Sequence, residues 1–127
     1  MTTPADLLKE AKLLDRDPAK TETRRRTIVG RAYYAAYHGA LAHETVQGFA
    51  FEPGKRNSEG RHLGRHQQLI DFLKRSRNPV LQQVGEKLEL LRLRRTQADY
   101  RLSIPLKRNE ESDSVALAEE ILLEDLA

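Results

Sequence analysis

Apolar residues recur every three or four positions through five stretches of this chain, with polar or chain-breaking residues between them. That period places the apolar side chains on one side of a helix. Leu7, Leu8, Ala11 and Leu14 form the first stripe, over Pro4 to Leu14, and Asp15-Arg-Asp-Pro18 ends it. A long second helix is predicted from about Ala19 to Val46, with Ile28, Val29, Ala32, Ala36, Gly39 and Ala40 in one broad sector. Gln47 to Glu59 holds Gly48, Pro53 and Gly54 and reads as a loop, the most mobile part of the chain. A third helix is predicted from about Gly60, carrying Leu63, Leu69, Ile70, Phe72 and Leu73. Pro79 opens a fourth, which runs to about Tyr100 with Leu81, Val84, Leu88 and Leu91 at heptad-like spacing. After the Ile104-Pro105 connector, Ser112-Asp113-Ser114 is the predicted cap of a last helix with Val115, Leu117, Ala118, Ile121, Leu122 and Leu126. No segment alternates as a strand does. The expectation is an all-α fold, an up-and-down antiparallel bundle of about five helices forming one domain over residues 1–127.

Composition narrows the chemistry. The absence of cysteine excludes disulfides, thiolate metal sites and a cysteine nucleophile, and fits a reducing cytoplasm. No apolar run reaches the roughly 18 residues of a membrane span and no signal-peptide pattern opens the chain, so a cytoplasmic protein without a membrane role is expected. Charge is lopsided. Residues 24–108 carry 18 Lys/Arg against 7 Asp/Glu, whereas residues 109–127 carry 7 acids and no base. Fifteen of the 22 basic residues are arginine, whose planar fork suits phosphate. Such a basic centre attracts a polyanion such as RNA, although a solvated helical surface would look the same by charge alone.

Within the second helix, Arg31 and His38 stand seven positions apart. At about 100° per residue they share a face, roughly 10 Å apart along the axis. Ala32, Tyr33, Ala35, Ala36, Gly39 and Ala40 cover the other side, and the basic pair is expected to face inward or toward a partner. Tyr34 lies three residues from Arg31 and four from His38, within reach of both, with Thr27 and Thr45 on the same face. It could orient the imidazole or stack a base; equally, Tyr34 and His38 could fill a polar patch in the bundle.

The run Gly30-Arg31-Ala-Tyr-Tyr-Ala-Ala-Tyr-His38 resembles the second helix of HEPN domains, in particular the small stand-alone prokaryotic branch. Two further landmarks agree in order and spacing: His66 with Leu69-Ile-Asp-Phe72, and Leu91-Arg-Leu-Arg-Arg95-Thr-Gln-Ala98-Asp99-Tyr100. The likeness spans about residues 20–102. It implies a helical bundle that commonly forms homodimers. Many members are metal-independent ribonucleases, among them toxins and CRISPR-associated nucleases, some paired with a nucleotidyltransferase or another antitoxin. Their signature is an arginine, four to six residues, then a histidine. Arg31-x6-His38 and Arg61-x4-His66 both meet it. Ala32 and His62 follow those arginines, where a polar residue is common in the best-known nucleases. Ala40 and Gln68 stand where nucleotidyltransferase-paired toxins carry a tyrosine, which argues against a tyrosine-modification switch.

Metal-free RNA cleavage needs a base for the 2′-hydroxyl, an acid for the leaving 5′-oxygen and a cation for the phosphorane. Histidine can serve as the first two and arginine as the third. Arg31, His38 and His66 are therefore the candidate catalytic residues, and a two-fold dimer would double the set. Tyr34, Lys55, Arg56, Arg61 and Arg65 are candidate contacts to substrate, the last four with His62 forming a basic cluster that is either a phosphate track or a solvated loop. On one helix Arg61 and His66 would diverge by about 140°, so their cooperation requires Arg61 to precede the helix. His62 and His66 have metal-ligand spacing, but no acid completes a recognisable pattern; no metal or cofactor is expected. Arg95 and Asp99, four apart, read as a structural pair. The competing functional reading is a non-catalytic HEPN module that partners a nucleotidyltransferase or other defence protein.

Overall fold

The computed structural model describes residues 1–46 and 48–123, without the side chains of 44–46. Expectations that touch Thr45, Val46, Gln47, Leu126 and the C-terminal acids Glu124 and Asp125 lie wholly or in their side chains outside the described residues. Five helices follow in order: α1 (Pro4–Asp15), α2 (Glu22–Val46), α3 (Arg65–Lys74), α4 (Pro79–Tyr100) and α5 (Glu110–Leu123). Among the described residues the only β-type pairing is an isolated bridge between Arg56 and His62. The chain is an all-α bundle.

One hydrophobic cluster draws on every helix. It joins Leu8 and Ala11, the Ile28–Ala40 side of α2, Leu69, Ile70 and Leu73, then Leu81, Val84, Leu88 and Leu91, and finally Val115, Ala118 and Ile121. Helix α2 is the hub, packing on α1, α4 and α5. Its small residues permit close approach: Gly39 faces Pro4 of α1 and Leu122 of α5. Side-chain pairs fix the helix directions. Lys74 meets Glu89 and Gln67 meets Arg92, so α3 and α4 are antiparallel. Arg26 reaches Ala98 and Ile104 while Tyr34 reaches Arg95, so α4 also opposes α2. Helices α2 and α3 therefore run parallel, with the loop between them returning the chain along the bundle, so the helix order is not the simple up-and-down one expected.

Helix ends depart from the pattern where local hydrogen bonds overrule it. Helix α1 starts as expected, with a capping box in which Thr3 and Asp6 exchange backbone and side-chain bonds at 3.1 and 2.9 Å. Helix α2 begins at Glu22 rather than Ala19, because the Thr21 hydroxyl accepts the Arg24 N–H at 3.1 Å and acts as the cap. Helix α3 begins at Arg65, not Gly60. Residues 55–63 form a miniature hairpin instead: Leu63 N–H donates to Lys55, Asn57 N–H donates to Arg61, and Gly60 takes a left-handed φ of 79°. Leu63 is thus a loop residue, and Phe72 sits at the rim rather than in the core, with 37% of its surface exposed. Helix α5 begins at Glu110, just after Asn109 at φ 60°, and Ser112 does not cap it. The Ser112 hydroxyl donates to Asp15 instead, at 3.0 Å.

Two buried polar side chains organise the connections. The Arg26 guanidinium, 8% exposed, donates to the carbonyls of Ala98 at 2.9 Å and Ile104 at 2.7 Å, closing the C-terminal end of α4. Gln68, 5% exposed, accepts from Glu52 N–H and donates to the carbonyls of Glu52 and Leu63. One amide thereby clasps both arms of the loop before α3.

Candidate functional site

Helices α2, α3 and α4 converge on an aromatic and cationic cluster centred on His66, the second residue of α3. The ring of Tyr37 stacks on His66 with centroids 4.0 Å apart and planes 7° from parallel. Tyr37 also meets His38 edge-on, with centroids 5.2 Å apart, so one phenol ring contacts both histidines. Tyr34 adds an edge-on contact to His66 at 6.3 Å and lies alongside His38 at 6.4 Å. Helical spacing produces this grouping: Tyr34 and Tyr37 meet the start of α3, and His38 lies beside them on the exposed edge of α2.

The Tyr33 hydroxyl hydrogen-bonds to His66 Nδ1. Tyr33 is fully buried, and burial pushes its phenol well above its ordinary range, so it stays protonated at neutral pH. Its only hydrogen-bond partner among the described residues is His66. A buried O–H that did not donate there would be left unsatisfied, at a cost of about 1–3 kcal/mol. Tyr33 therefore donates to Nδ1, and the imidazole carries its single proton on Nε2. Burial lowers the His66 pKa below its ordinary 6.5, and the nearby Arg92, Arg95, His38 and Arg65 lower it further. His66 is accordingly a neutral imidazole at pH 7.

Helix α4 supplies two arginines one turn apart. Arg92 donates to the side-chain carbonyl of Gln67. Arg95 donates from Nη2 to the Tyr34 hydroxyl at 3.0 Å, and its guanidinium lies 5.4 Å from the Tyr34 ring centre. The Arg95 Nε stands 2.9 Å from Asp99 Oδ2, the structural pair read from the sequence. That contact is an ion pair without hydrogen-bond alignment, because Nε is buried and has no acceptor in line. Tyr100, by contrast, is 72% exposed, and its ring lies 6.0 Å from the guanidinium of Arg95 on the same helix.

The candidate residues divide into two groups. His38, His66 and Tyr34 come together. Arg65 belongs with them through its charge on His66, although its guanidinium lies over Phe51 at 4.8 Å. Arg31 and His38 do not face the interior: both are exposed on the outer stripe of α2, and Arg31 makes no side-chain hydrogen bond or ion pair with another described residue. The loop cations form the second group. Lys55 and Arg56 line a groove of about 820 Å³ with Phe49, Phe72 and Arg75, and none of the histidine cluster borders it. Arg61 precedes α3 and pairs loosely with Glu59 at 3.8 Å, with no contact to His66. His62 bridges Arg56 in the hairpin, and the described residues contain no group of three His, Asp or Glu able to hold a metal ion.

Sequence reasoning missed Arg92, Tyr33 and Tyr37 as members of the site. Arg92 follows the core residue Leu91 and lies one turn beyond Leu88, a position at the edge of the buried stripe that could have singled it out. Tyr33 read as core, and its partner on α3 is a tertiary contact that no spacing in the sequence encodes. Among the described residues, no helix is long and apolar enough to cross a membrane. The chain matches no family model, no curated protein and no solved structure.

Proposed function

We propose that the chain is a metal-independent ribonuclease of the HEPN type, acting on RNA as a two-fold dimer in a toxin or defence setting. The observation that carries this reading is the grouping of His38 and His66 around Tyr34 and Tyr37, with His66 held by Tyr33 among Arg65, Arg92 and Arg95. General base and general acid are the two roles that phosphodiester transfer requires. His38 removes the proton of the 2′-hydroxyl, O2′ bonds to phosphorus, and the P–O5′ bond breaks as the leaving oxygen takes a proton from water, while His66 Nε2–H donates a hydrogen bond to the phosphorane. The products are a 2′,3′-cyclic phosphate and a 5′-hydroxyl. In the proposed dimer, Arg31, exposed on the outer stripe of α2, would supply a cation to the phosphorane from across the two-fold axis.

The test is cleavage of single-stranded RNA or tRNA in the presence of a chelator, with the ends of the products identified. Cyclic phosphate ends, lost in both His38→Ala and His66→Ala while circular dichroism stays helical, are expected. Intact RNA with the wild-type dimer, or undiminished cleavage in His66→Ala, refutes the assignment. A second reading is favoured by the exposed Leu93, Tyr100, Leu102 and Ile104 at the end of α4, which suit a protein surface such as that of a nucleotidyltransferase or antitoxin. Under that reading the chain binds without cleaving, and the same assay separates the two.

A further inference from the structure

We propose that Arg92 and Arg95 form a seat for one oxyanion, a phosphodiester of the RNA strand, complete within a single protomer beside His66. This inference rests on the ribonuclease reading for the identity of the ligand, but the seat itself is argued from the unanswered charge on α4.

Arg25 and Arg26, the most buried arginines at the other end of α2, have direct carboxylate partners, while the partly buried Arg94 of α4 donates to the Ser114 hydroxyl. Arg25 meets Glu111 and Glu22, and Arg26 meets Glu22. Arg92 and Arg95, both only partly exposed, share a single direct carboxylate, Asp99, and that contact leaves Arg95 Nε without an aligned acceptor. Arg92 donates to a neutral amide, and Gln67 in turn donates to Asp71 at 2.8 Å, so the nearest acid is one residue removed. Arg65 and His38 add positive or neutral groups around His66, and Tyr33 and Tyr37 close its remaining sides. Two guanidiniums in a half-buried site, with donors to spare and too little negative charge, are matched by an anion with several acceptor oxygens. Tyr34 fixes the Arg95 fork by a hydrogen bond, so the seat is preorganised rather than assembled on binding.

The geometry also places this seat usefully. Arg92 and Arg95 lie near enough for their charge to act on His66, whose Nδ1 is occupied by Tyr33, leaving Nε2–H as the group able to donate to a ligand. A phosphate oxygen held by Arg92 and Arg95 would present the adjoining ester oxygen to that nitrogen. Arg31 would then be a supplementary cation from the dimer, not the sole one.

The probe is inorganic phosphate, titrated into the full-length chain at constant ionic strength while the histidine ring resonances are followed by NMR. Saturable shifts of His66 are expected, with its pKa rising as the anion offsets the arginines. Arg92→Gln should weaken phosphate binding by at least about tenfold, as the loss of a charge-assisted hydrogen bond implies. Arg16→Gln, on the exposed end of α1, should leave it unchanged. Arg92→Gln leaves the Tyr34 and Asp99 contacts of α4 in place, and its thermal unfolding verifies the fold. Saturable binding lost in Arg92→Gln supports the seat whether or not the chain cleaves RNA. Absence of saturable binding in the wild type, or equal affinity in folded Arg92→Gln, overturns the seat and leaves the cleavage assay to decide the ribonuclease reading.

Discussion

Alanine substituted at two helical glycines should move stability in opposite directions, and the sign is set by what surrounds each position. In a helix interior alanine is favoured over glycine by about 1 kcal/mol, chiefly because glycine loses more backbone freedom on folding. At Gly30, in α2, a Cβ would meet nothing within 4 Å, so the intrinsic gain should appear almost whole. At Gly85, in α4, the same Cβ would lie 2.9 Å from Leu73 Cβ, from Lys74 Cγ and from the Lys74 backbone nitrogen. A lysine side chain can swing aside, but a backbone atom and a core Cβ move only if α3 moves. Overpacking of that kind costs about 1–3 kcal/mol, which exceeds the intrinsic gain. Gly30→Ala should therefore stabilise by about 0.5–1 kcal/mol and Gly85→Ala destabilise by about 1–2 kcal/mol. For a chain of this size the melting temperature should rise by about 2–5 °C in the first and fall by about 3–10 °C in the second. Thermal and urea unfolding followed by circular dichroism reads both. If Gly85→Ala is as stabilising as Gly30→Ala, α3 and α4 do not approach as described. The consequence would reach the site, since the same helix pair places His66 and Gln67 opposite Arg92.

Two further outcomes concern buried charge. Burial raises the Glu111 pKa, but backbone hydrogen bonding and the side chains of Arg25 and Lys20 outweigh it and hold the carboxyl below its ordinary 4.5. Its folded-state value is depressed, so its stabilising contribution is present above about pH 4.5 and lost as pH falls through the folded value; Glu111→Gln should flatten the acid limb of a stability–pH curve, and an unchanged limb would discount the network. Arg26→Met should lower stability by about 2–4 kcal/mol, because the carbonyls of Ala98 and Ile104 lose charged donors; hydrogen exchange should be fastest at the C-terminal end of α4, and uniform exchange would show that Arg26 is not its cap.

The sequence pattern located the helices well because their apolar residues repeat, and Leu81, Val84, Leu88 and Leu91 are all buried. It placed the starts of α2, α3 and α5 poorly, because those depend on single hydrogen bonds such as Thr21 to Arg24 or on a left-handed residue such as Asn109. The same contrast governs the site. His38 and Tyr34 are neighbours on one helix, so their association follows from spacing alone. The pairing of Tyr33 with His66 spans two helices and 33 positions, and nothing in either segment announces the other. Arg92 carried only a positional hint, at the edge of the buried stripe; its contact with Gln67 of α3 is what sets it apart from the neighbouring Arg94. The paired residues Arg95 and Asp99 were legible, but the role of Arg95 toward Tyr34 was not.

The Gln68 clasp bears on how this chain can be altered. The amide grips the backbone at Glu52 and Leu63, on the two arms, and touches nothing at the turn formed by Asn57, Ser58, Glu59 and Gly60. Structural responsibility is thus unequal within one loop. Extra chain inserted between Ser58 and Glu59 would lengthen a closure whose ends are already fixed, and doubling such a length costs only about 0.6 kcal/mol. The same insertion at Leu63 would pull against an amide two residues from His66. The hairpin tip is consequently a place where new sequence, an epitope or a fluorophore-bearing segment, can be grafted while the imidazole keeps its address.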